Sequence, residues 1–196
     1  PYATRERAKD NRGNNSSLFG NAYLEVDFLK HFTFRTSIGG TYGTYDYYSF
    51  NFITYENSEN NTGNSYTEGS GKNTSWIWTN TLAYKNSFGK HDISALAGTE
   101  AIEDNGRSIE GSRSTYFLED VNFRSLNNGG AAGQRANGAP FTPASLYSLF
   151  GQASYSYDDR FLASFTIRRD GSSRFGPNYR YGTFPAFSLG WRISRE

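Results

Sequence analysis

Hydrophobic and polar residues alternate with a period of two through most of this 196-residue chain. In the first such segment, which begins at Ser17, every second residue is apolar or small, and these residues are Leu18, Gly20, Ala22, Leu24, Val26 and Phe28. Strict alternation predicts a β-strand with one polar and one apolar face. The charged and amide-rich residues 1–16 show no such period and are predicted to form a polar loop.

Six further alternating segments follow, so the sequence predicts seven strands. They begin near Phe32, Asn73, Asp92, Ser148, Phe161 and Phe187. Asn80 interrupts the apolar side of the third strand, which leaves the facing of that strand open. An odd number of strands does not close a single-chain bacterial barrel and leaves two bare edges, which favours a piece of a longer chain.

The connections between these strands alternate in length. Residues 29–31, 87–91 and 157–160 read as short turns, whereas residues 46–72 and 103–145 read as long polar connections. In the last, compact loop, Asp170-Gly171 is predicted to supply the positive φ of a turn. Short turns on one side and long loops on the other are typical of an outer-membrane β-barrel, whereas a soluble sandwich has no reason to sort its loops.

Composition agrees with an all-β protein. The hydrophobic fraction is 36% and the mean hydropathy is −0.71, but the aromatic fraction of 17% argues against disorder. The chain contains no run of eighteen apolar residues, so no membrane-spanning helix is predicted. Barrel strands need only about ten residues of alternating character. The formal charge is +1 and the basic residues are scattered, so nucleic acid is not an expected partner.

No constellation of residues predicts catalysis. The chain has no Cys, and its two histidines, His31 and His91, both fall in predicted short turns. The adjacent pair Asp158-Asp159 is read as a turn former, because neighbouring residues of an extended chain point apart. We therefore expect no enzyme activity, no metal site and no cofactor.

Aromatic residues supply the candidate contacts. Tyr45, Tyr47, Tyr48 and Tyr55 enter the first long connection among polar neighbours, as expected of rings that stack on a sugar or peptide ligand. The alternative is a cluster that anchors the loop. A second set lies toward strand ends, where barrels carry interfacial girdles, and comprises Trp76, Trp78, Tyr84 and Trp191.

The end of the chain carries the most specific motif. Arg169-Asp-Gly-Ser-Ser-Arg-Phe-Gly176, followed by Arg180-Tyr-Gly-Thr-Phe-Pro185, closely resembles a signature of the SusC/RagA family of Bacteroidetes TonB-dependent outer-membrane transporters. The segments Trp78–Tyr84, Phe88–His91, Ala97–Glu100 and Leu149–Tyr157 also resemble that family's barrel, in the expected order. Gln152 and Ala186 depart from the residues usual in the family, without consequence for the fold.

The resemblance implies a function for the parent protein. It would be a barrel of about 22 strands in the bacterial outer membrane, filled by an N-terminal plug. A SusD-like surface lipoprotein would close it, and the TonB complex would drive import of oligosaccharides or peptides. Residues 17–196 would then form about seven strands of an antiparallel, up-and-down transmembrane β-barrel, without the plug or the barrel's C-terminal end.

Two other classes of protein stay open from the residues alone. One is a soluble β-sandwich that binds carbohydrate through the Tyr45–Tyr55 stretch, because a sandwich shows the same alternation. The other is a surface or filament protein whose strand edges pair between chains. A sandwich predicts a buried apolar core, and a filament predicts assembly that depends on concentration.

Overall fold

The computed structural model describes residues 7–55, 60–141 and 143–195. The described residues form one sheet of eight strands. These strands are β1 (Arg12–Phe28), β2 (Phe32–Asn51), β3 (Ser65–Phe88), β4 (His91–Ser114), β5 (Gly130–Pro140), β6 (Ala144–Tyr157), β7 (Phe161–Ser172) and β8 (Tyr181–Trp191). Their order is β1-β2-β3-β4-β6-β7-β8, with β5 also paired to β4. The all-β, antiparallel, up-and-down architecture predicted from the alternation is confirmed.

The short turns are confirmed as well. β1 and β2 are joined by residues 29–31, in which Leu29 and Lys30 have φ values of 50° and 62°. Asp158 and Asp159 join β6 to β7 with φ values of 51° and 57°. Consecutive left-handed residues match the right-handed twist of the strands they join, which is why hairpins favour them. The Asp158-Asp159 pair is therefore a turn former.

The strands extend further than the apolar periodicity indicates. β1 begins at Arg12, so the prediction of a loop through residue 16 is wrong at its end. β2 runs to Asn51 and β3 begins at Ser65, which reduces the connection predicted at 46–72 to residues 52–64. Residues 56–59 of that connection lie outside the described part of the chain. Polar residues form strands here because backbone pairing, not an apolar face, is what a strand requires.

The second long connection, predicted at 103–145, also contains strands. β4 continues to Ser114, and β5 forms from a Gly- and Ala-rich segment whose composition predicts flexibility. β4 pairs with β6 along residues 91–104 and with β5 along residues 107–114. The prediction of seven strands was therefore short by one, because β5 is specified by the neighbour it pairs with and not by its own residues.

The prediction that Asp170-Gly171 supplies the positive φ of a turn is wrong. Both residues lie within β7, where Gly171 pairs with Tyr181 of β8, and residues 173–180 make the loop. A Cβ atom added at Gly171 would lie 2.4 Å from the ring of Tyr181. Gly171 therefore leaves room for an aromatic ring to pack against its backbone, and it does not supply the positive φ of a turn.

The chain divides into two compact units, which differ in how they bury apolar side chains. Unit 1 comprises residues 1–18, 42–74 and 105–142, and Phe50, Tyr66 and Tyr116 form its core at 3%, 5% and 6% exposure. Unit 2 comprises residues 19–41, 75–104 and 143–196. Most of its large apolar side chains are exposed, as Phe187 and Leu189 are at 71% and 72%. The buried core that a soluble sandwich requires is not found among its described residues.

Within the described residues, no helix has the length and apolar character that crossing a membrane requires.

Candidate functional site

The strand registers in unit 2 separate an apolar from a polar face. Side chains of directly paired residues lie on the same face, and successive residues on a strand lie on opposite faces. One row across β4, β6, β7 and β8 is Ile93, Tyr155, Ala163 and Leu189, and the next row is Ser94, Ser154, Ser164 and Ser188. In the polar row the Ser164 and Ser188 hydroxyl oxygens are 2.7 Å apart. The alternation read from the sequence therefore continues across neighbouring strands.

Charged side chains on the polar face pair with one another. Arg168 Nη2 lies 2.9 Å from Glu100 Oε1 and donates to the Ser148 hydroxyl at 2.9 Å, while Arg168 Nε lies 2.7 Å from Asp170 Oδ1. These three partners come from β4, β6 and β7. Arg35 and Glu25 form a looser pair at 3.6 Å. The charged side chains of the polar face therefore stabilise one another by forming ion pairs.

The four aromatic residues predicted at a membrane interface lie in unit 2 and are at least partly exposed. Trp76, Trp78 and Trp191 are exposed at 38%, 49% and 56%. Trp78 Nε1 donates to the Thr36 hydroxyl at 3.0 Å. Tyr84, eight residues after Trp76 on β3, packs on Phe32 with ring centroids 5.0 Å apart. β3 is continuous through Asn80. The side chains of Trp78, Asn80 and Leu82 therefore lie on the same face of the strand, which answers the question that the sequence left open.

The four tyrosines predicted to bind ligand separate into different environments. Tyr45 and Tyr47 stack side by side, with centroids 6.5 Å apart and an angle of 16° between their planes. Tyr48 lies on the opposite face of β2, where its ring is 6.5 Å from that of Tyr66. Tyr55 lies beyond the end of β2 and is 81% exposed. Only Tyr45 and Tyr47 are brought together.

Two glycines of β3 make room for the Tyr45–Tyr47 pair. A Cβ atom at Gly71 would lie 2.4 Å from the Tyr45 ring, and one at Gly69 would lie 2.7 Å from the Tyr47 ring. Each ring therefore covers a bare stretch of backbone on the neighbouring strand. Gly69 and Gly71 are two residues apart, as are Tyr45 and Tyr47. This matching spacing is visible in the sequence, but the glycine- and serine-rich composition of the segment suggested a loop.

A carboxylate and an amide extend this site across the sheet. The Tyr47 hydroxyl donates to Glu110 Oε2, and Asn137 Nδ2 lies 3.5 Å from Glu110 Oε1. Glu110 and Asn137 are paired residues of β4 and β5 and so share a face. A cavity of about 520 Å³ adjoins them, lined also by Ser108 and Ala139. The arrangement offers flat rings beside hydrogen-bonding groups, and neither periodicity nor motif spacing indicated Glu110 or Asn137.

The connection from β4 to β5 is fixed by buried hydrogen bonds. Asn64, at 3% exposure, accepts from the Tyr116 amide at 2.7 Å and donates to the Tyr116 carbonyl at 2.9 Å. Asn64 also donates to Glu119 Oε1 at 3.0 Å, and the same oxygen accepts from the Ile53 amide at 3.1 Å. Burial raises the pKa of the Tyr116 phenol, which donates to the Ser125 carbonyl. This connection is thus ordered.

Arg124 belongs to the same connection and packs over the unit 1 core. Its guanidinium lies 4.9 Å from the Phe50 ring centroid and 4.8 Å from that of Phe52, and it pairs with Asp10 at 3.4 Å. Its side chain is only 9% exposed. A cation held over two ring faces strengthens packing when it is desolvated. Within the aromatic stretch of residues 45–55, Phe50 and Phe52 therefore pack beneath the connection that carries Arg124.

Comparison with known proteins identifies relatives along the whole chain. It is 32% identical to TonB-dependent receptor P39 of Formosa agariphila over 100% of its length, and 32% identical to TonB-dependent receptor SusC of Bacteroides thetaiotaomicron over 96%. The chain spans about a fifth of the length of these curated relatives, 19% and 18%. No family model matches it. Among solved structures, the RagAB peptide transporter superposes on 96% of this chain, and on 21% of its own chain, with a TM-score of 0.81 at 25% identity.

Proposed function

Because the chain belongs to the TonB-dependent receptors of the SusC/RagA type, we propose that it forms part of the wall of an outer-membrane importer of oligosaccharides or peptides. A SusD-like surface lipoprotein would cover the outer opening. The TonB complex would supply energy through a plug formed elsewhere in the protein. The solved structure named as a peptide transporter supports the peptide class, and the oligosaccharide class rests on the family resemblance of the closing motif.

The observation that carries this proposal is the uncovered apolar face of unit 2. Phe165, Phe187 and Leu189 project from β7 and β8 at 46%, 71% and 72% exposure. A patch of this kind in water is an aggregation hazard, whereas lipid covers it without any further protein layer. The polar face, with its paired charges and serine row, then lines the interior of the barrel.

We propose that the interface aromatics mark the two edges of the lipid band. Trp76 and Tyr84 are eight residues apart on β3, which is about 26 Å of strand at ~3.3 Å per residue. A tilt of about 40° reduces this to a height of about 20 Å, near the ~25 Å apolar band of outer-membrane barrels. Trp78 and Trp191 would occupy the same two edges, Trp191 lying beside Phe161 at the short-turn end.

We further propose that Tyr45 and Tyr47 contact the solute. Their rings cover glycine backbone and are half-buried, so part of each ring is exposed to a solute, and Glu110 and Asn137 supply hydrogen bonds beside them. Tyr55, which is exposed, is a secondary candidate. Tyr48, packed against Tyr66 on the opposite face, would meet a solute only from that side.

Uptake by intact cells tests the proposal. Wild-type cells and cells lacking the gene would be given fluorescent oligosaccharides and peptides too large for porins, with and without a protonophore. We expect uptake that requires both the gene and the proton-motive force. Detergent extraction of the outer membrane should yield a chain several times longer than 196 residues together with a lipoprotein. A water-soluble protein, or uptake unchanged by deletion of the gene, would contradict the proposal.

A further inference from the structure

β5 presents a strand edge to which nothing in the described part of the chain is paired. β5 pairs with β4 alone, in a regular register from Arg107–Pro140 to Ser112–Arg135. The edge of β5 that faces away from β4 is therefore unpaired within the described residues.

The hydrogen-bond pattern identifies the groups on this edge. The Phe141 amide donates to the Gly106 carbonyl at 3.0 Å, so Gly106 and Phe141 form a hydrogen-bonded pair. In an antiparallel ladder such pairs alternate, so the amides of Ala139 and Asn137 also point toward β4. The amides and carbonyls of Ala136 and Gly138 then point away from β4. Pro140, which has no amide hydrogen, occupies the next outward position, the placement that proline favours on an edge strand.

The side chains of β5 leave the edge accessible. Ala136, Gly138 and Ala139 are small, and residues 134–140 are all exposed. On the face that carries Glu110, the β4–β5 pair also presents Arg135 and Asn137. A carboxylate, a guanidinium and an amide on one face can receive side chains of either charge. Exposed edge strands usually carry a residue that prevents pairing with another strand, such as an inward-pointing lysine. Ala136 and Gly138 do not prevent such pairing.

We propose that the free edge of β5 binds a transported peptide in extended form by β-strand addition. The edge offers donors and acceptors repeating every two residues, about 6.8 Å, which matches the main chain of an extended peptide. An oligosaccharide has no such repeat of amide groups. This inference rests on the proposed function and narrows its solute class to peptides, with Glu110, Arg135 and Asn137 contacting alternate side chains.

Two variants of the full-length, detergent-purified protein test the edge. Ala136→Pro with Gly138→Pro removes both outward amides and leaves the amides that pair with β4, whereas Ala136→Val with Gly138→Ala keeps all of them. The probe is a labelled decapeptide of alternating alanine and threonine with a lysine at each end. We expect a Kd below ~1 mM for wild type and the control pair, and affinity at least tenfold weaker for the proline pair.

Methylated probes separate backbone pairing from side-chain binding. Two versions of the decapeptide would carry N-methyl groups on complementary sets of alternate residues. An added strand uses one set only, so one version should bind like the parent peptide and the other should lose at least tenfold in affinity. Equal loss or equal retention in both versions overturns the proposal, as does absence of binding by the unmethylated peptide.

Hydrogen exchange completes the test. The Ala136 and Gly138 amides should exchange rapidly in the free protein and slowly with the decapeptide bound, while the Asn137 amide stays protected in both states and in the proline pair. Slow exchange at Ala136 and Gly138 in the free protein would mean that the protein's own chain covers the edge, which overturns the proposal. If peptide uptake is energy-dependent but the edge tests are negative, strand addition is refuted and the proposed function stands. If uptake is the same with and without the gene, the proposed function itself is refuted.

Discussion

Arg168 of β7 reaches Glu100 of β4 at 2.9 Å, across the intervening strand β6. The same guanidinium holds Asp170 at 2.7 Å and the Ser148 hydroxyl at 2.9 Å. One cation thus neutralises two carboxylates from different strands, which ties together three strands of the polar face. The Glu100 side chain is 20% exposed, so its charge is only partly hydrated.

Substitution Arg168→Met should destabilise unit 2, because Glu100 and Asp170 then face each other without a counter-charge. We expect a loss of about 1 kcal/mol in unfolding free energy, a figure limited by the partial exposure of the three side chains. Urea titration of the protein in detergent, followed by gel mobility, measures it. Arg35→Met is the comparison variant. Arg35 lies 3.6 Å from Glu25, with both side chains about half exposed, and 4.3 Å from the Tyr23 ring centroid, so its loss should cost less than the loss of Arg168.

Substitution Asn64→Ala should release the connection between β4 and β5. The variant leaves the buried Tyr116 amide and carbonyl without partners, at a cost of roughly 1–3 kcal/mol. Limited proteolysis should then cut within residues 115–129 while the strands stay intact. Asn128→Ala removes a hydrogen bond from an exposed side chain to the Phe123 carbonyl and should not increase cutting. Equal protection in the two variants would show that Asn64 does not fix this connection.

Substitution Gly71→Ala should displace the Tyr45 ring, because the added Cβ would lie 2.4 Å from it. If this ring stacks on the solute, affinity should fall as it does for Tyr45→Ala, by roughly 3- to 10-fold for a stacking energy of about 0.5–1.5 kcal/mol. Calorimetry with the solute identified by the uptake assay measures the change. Gly63→Ala, where a Cβ atom meets nothing within 4 Å, should bind like wild type.

Substitution Leu82→Arg tests whether the apolar face contacts lipid. Arginine on the lipid face costs about 2–4 kcal/mol near the bilayer midplane and ~0–1 kcal/mol near its edges. Leu82 lies between the centre of the proposed band, near Asn80, and its edge at Tyr84. Leu82→Arg should therefore lower the yield of folded protein in outer membranes by an intermediate amount, and Tyr84→Arg should lower it less. Thr81→Arg, on the opposite face, should be tolerated. Similar yields for Leu82→Arg and Thr81→Arg would contradict lipid contact.

Local chain chemistry predicted the parts of this fold that alternate. Strands β6 and β7 were located to within a few residues, because their apolar rows repeat every second residue and Asp158-Asp159 marks the turn between them. Trp76 and Trp78, which were expected toward a strand end, lie in the middle of β3, because that strand begins at Ser65 and not near Asn73. The closing motif at residues 169–185 gave the family.

Local chemistry failed where a neighbouring strand determines the structure. β5 forms from glycine and alanine because β4 offers hydrogen bonds, and the first half of β3 extends as a strand although it reads as a polar loop. Four tyrosines in one stretch of sequence divide between two faces of β2 and its end. Their partners Gly69, Gly71 and Glu110 are distant in sequence, and only strand pairing brings them together.

The sequence by itself determined that this protein is an all-β sheet with one apolar and one polar face, because period-two alternation and turn chemistry are local properties. The TonB-dependent receptor family was indicated separately, by the resemblance of the motif at residues 169–185. Only the tertiary structure decided which side chains meet. The Arg168 network and the Tyr47–Glu110 contact depend on inter-strand register, and a shift of one residue would turn their side chains to the other face. The Asn64–Tyr116 bonds join two connections that lie outside the strands. Register is set by contacts across the sheet, which no single strand encodes.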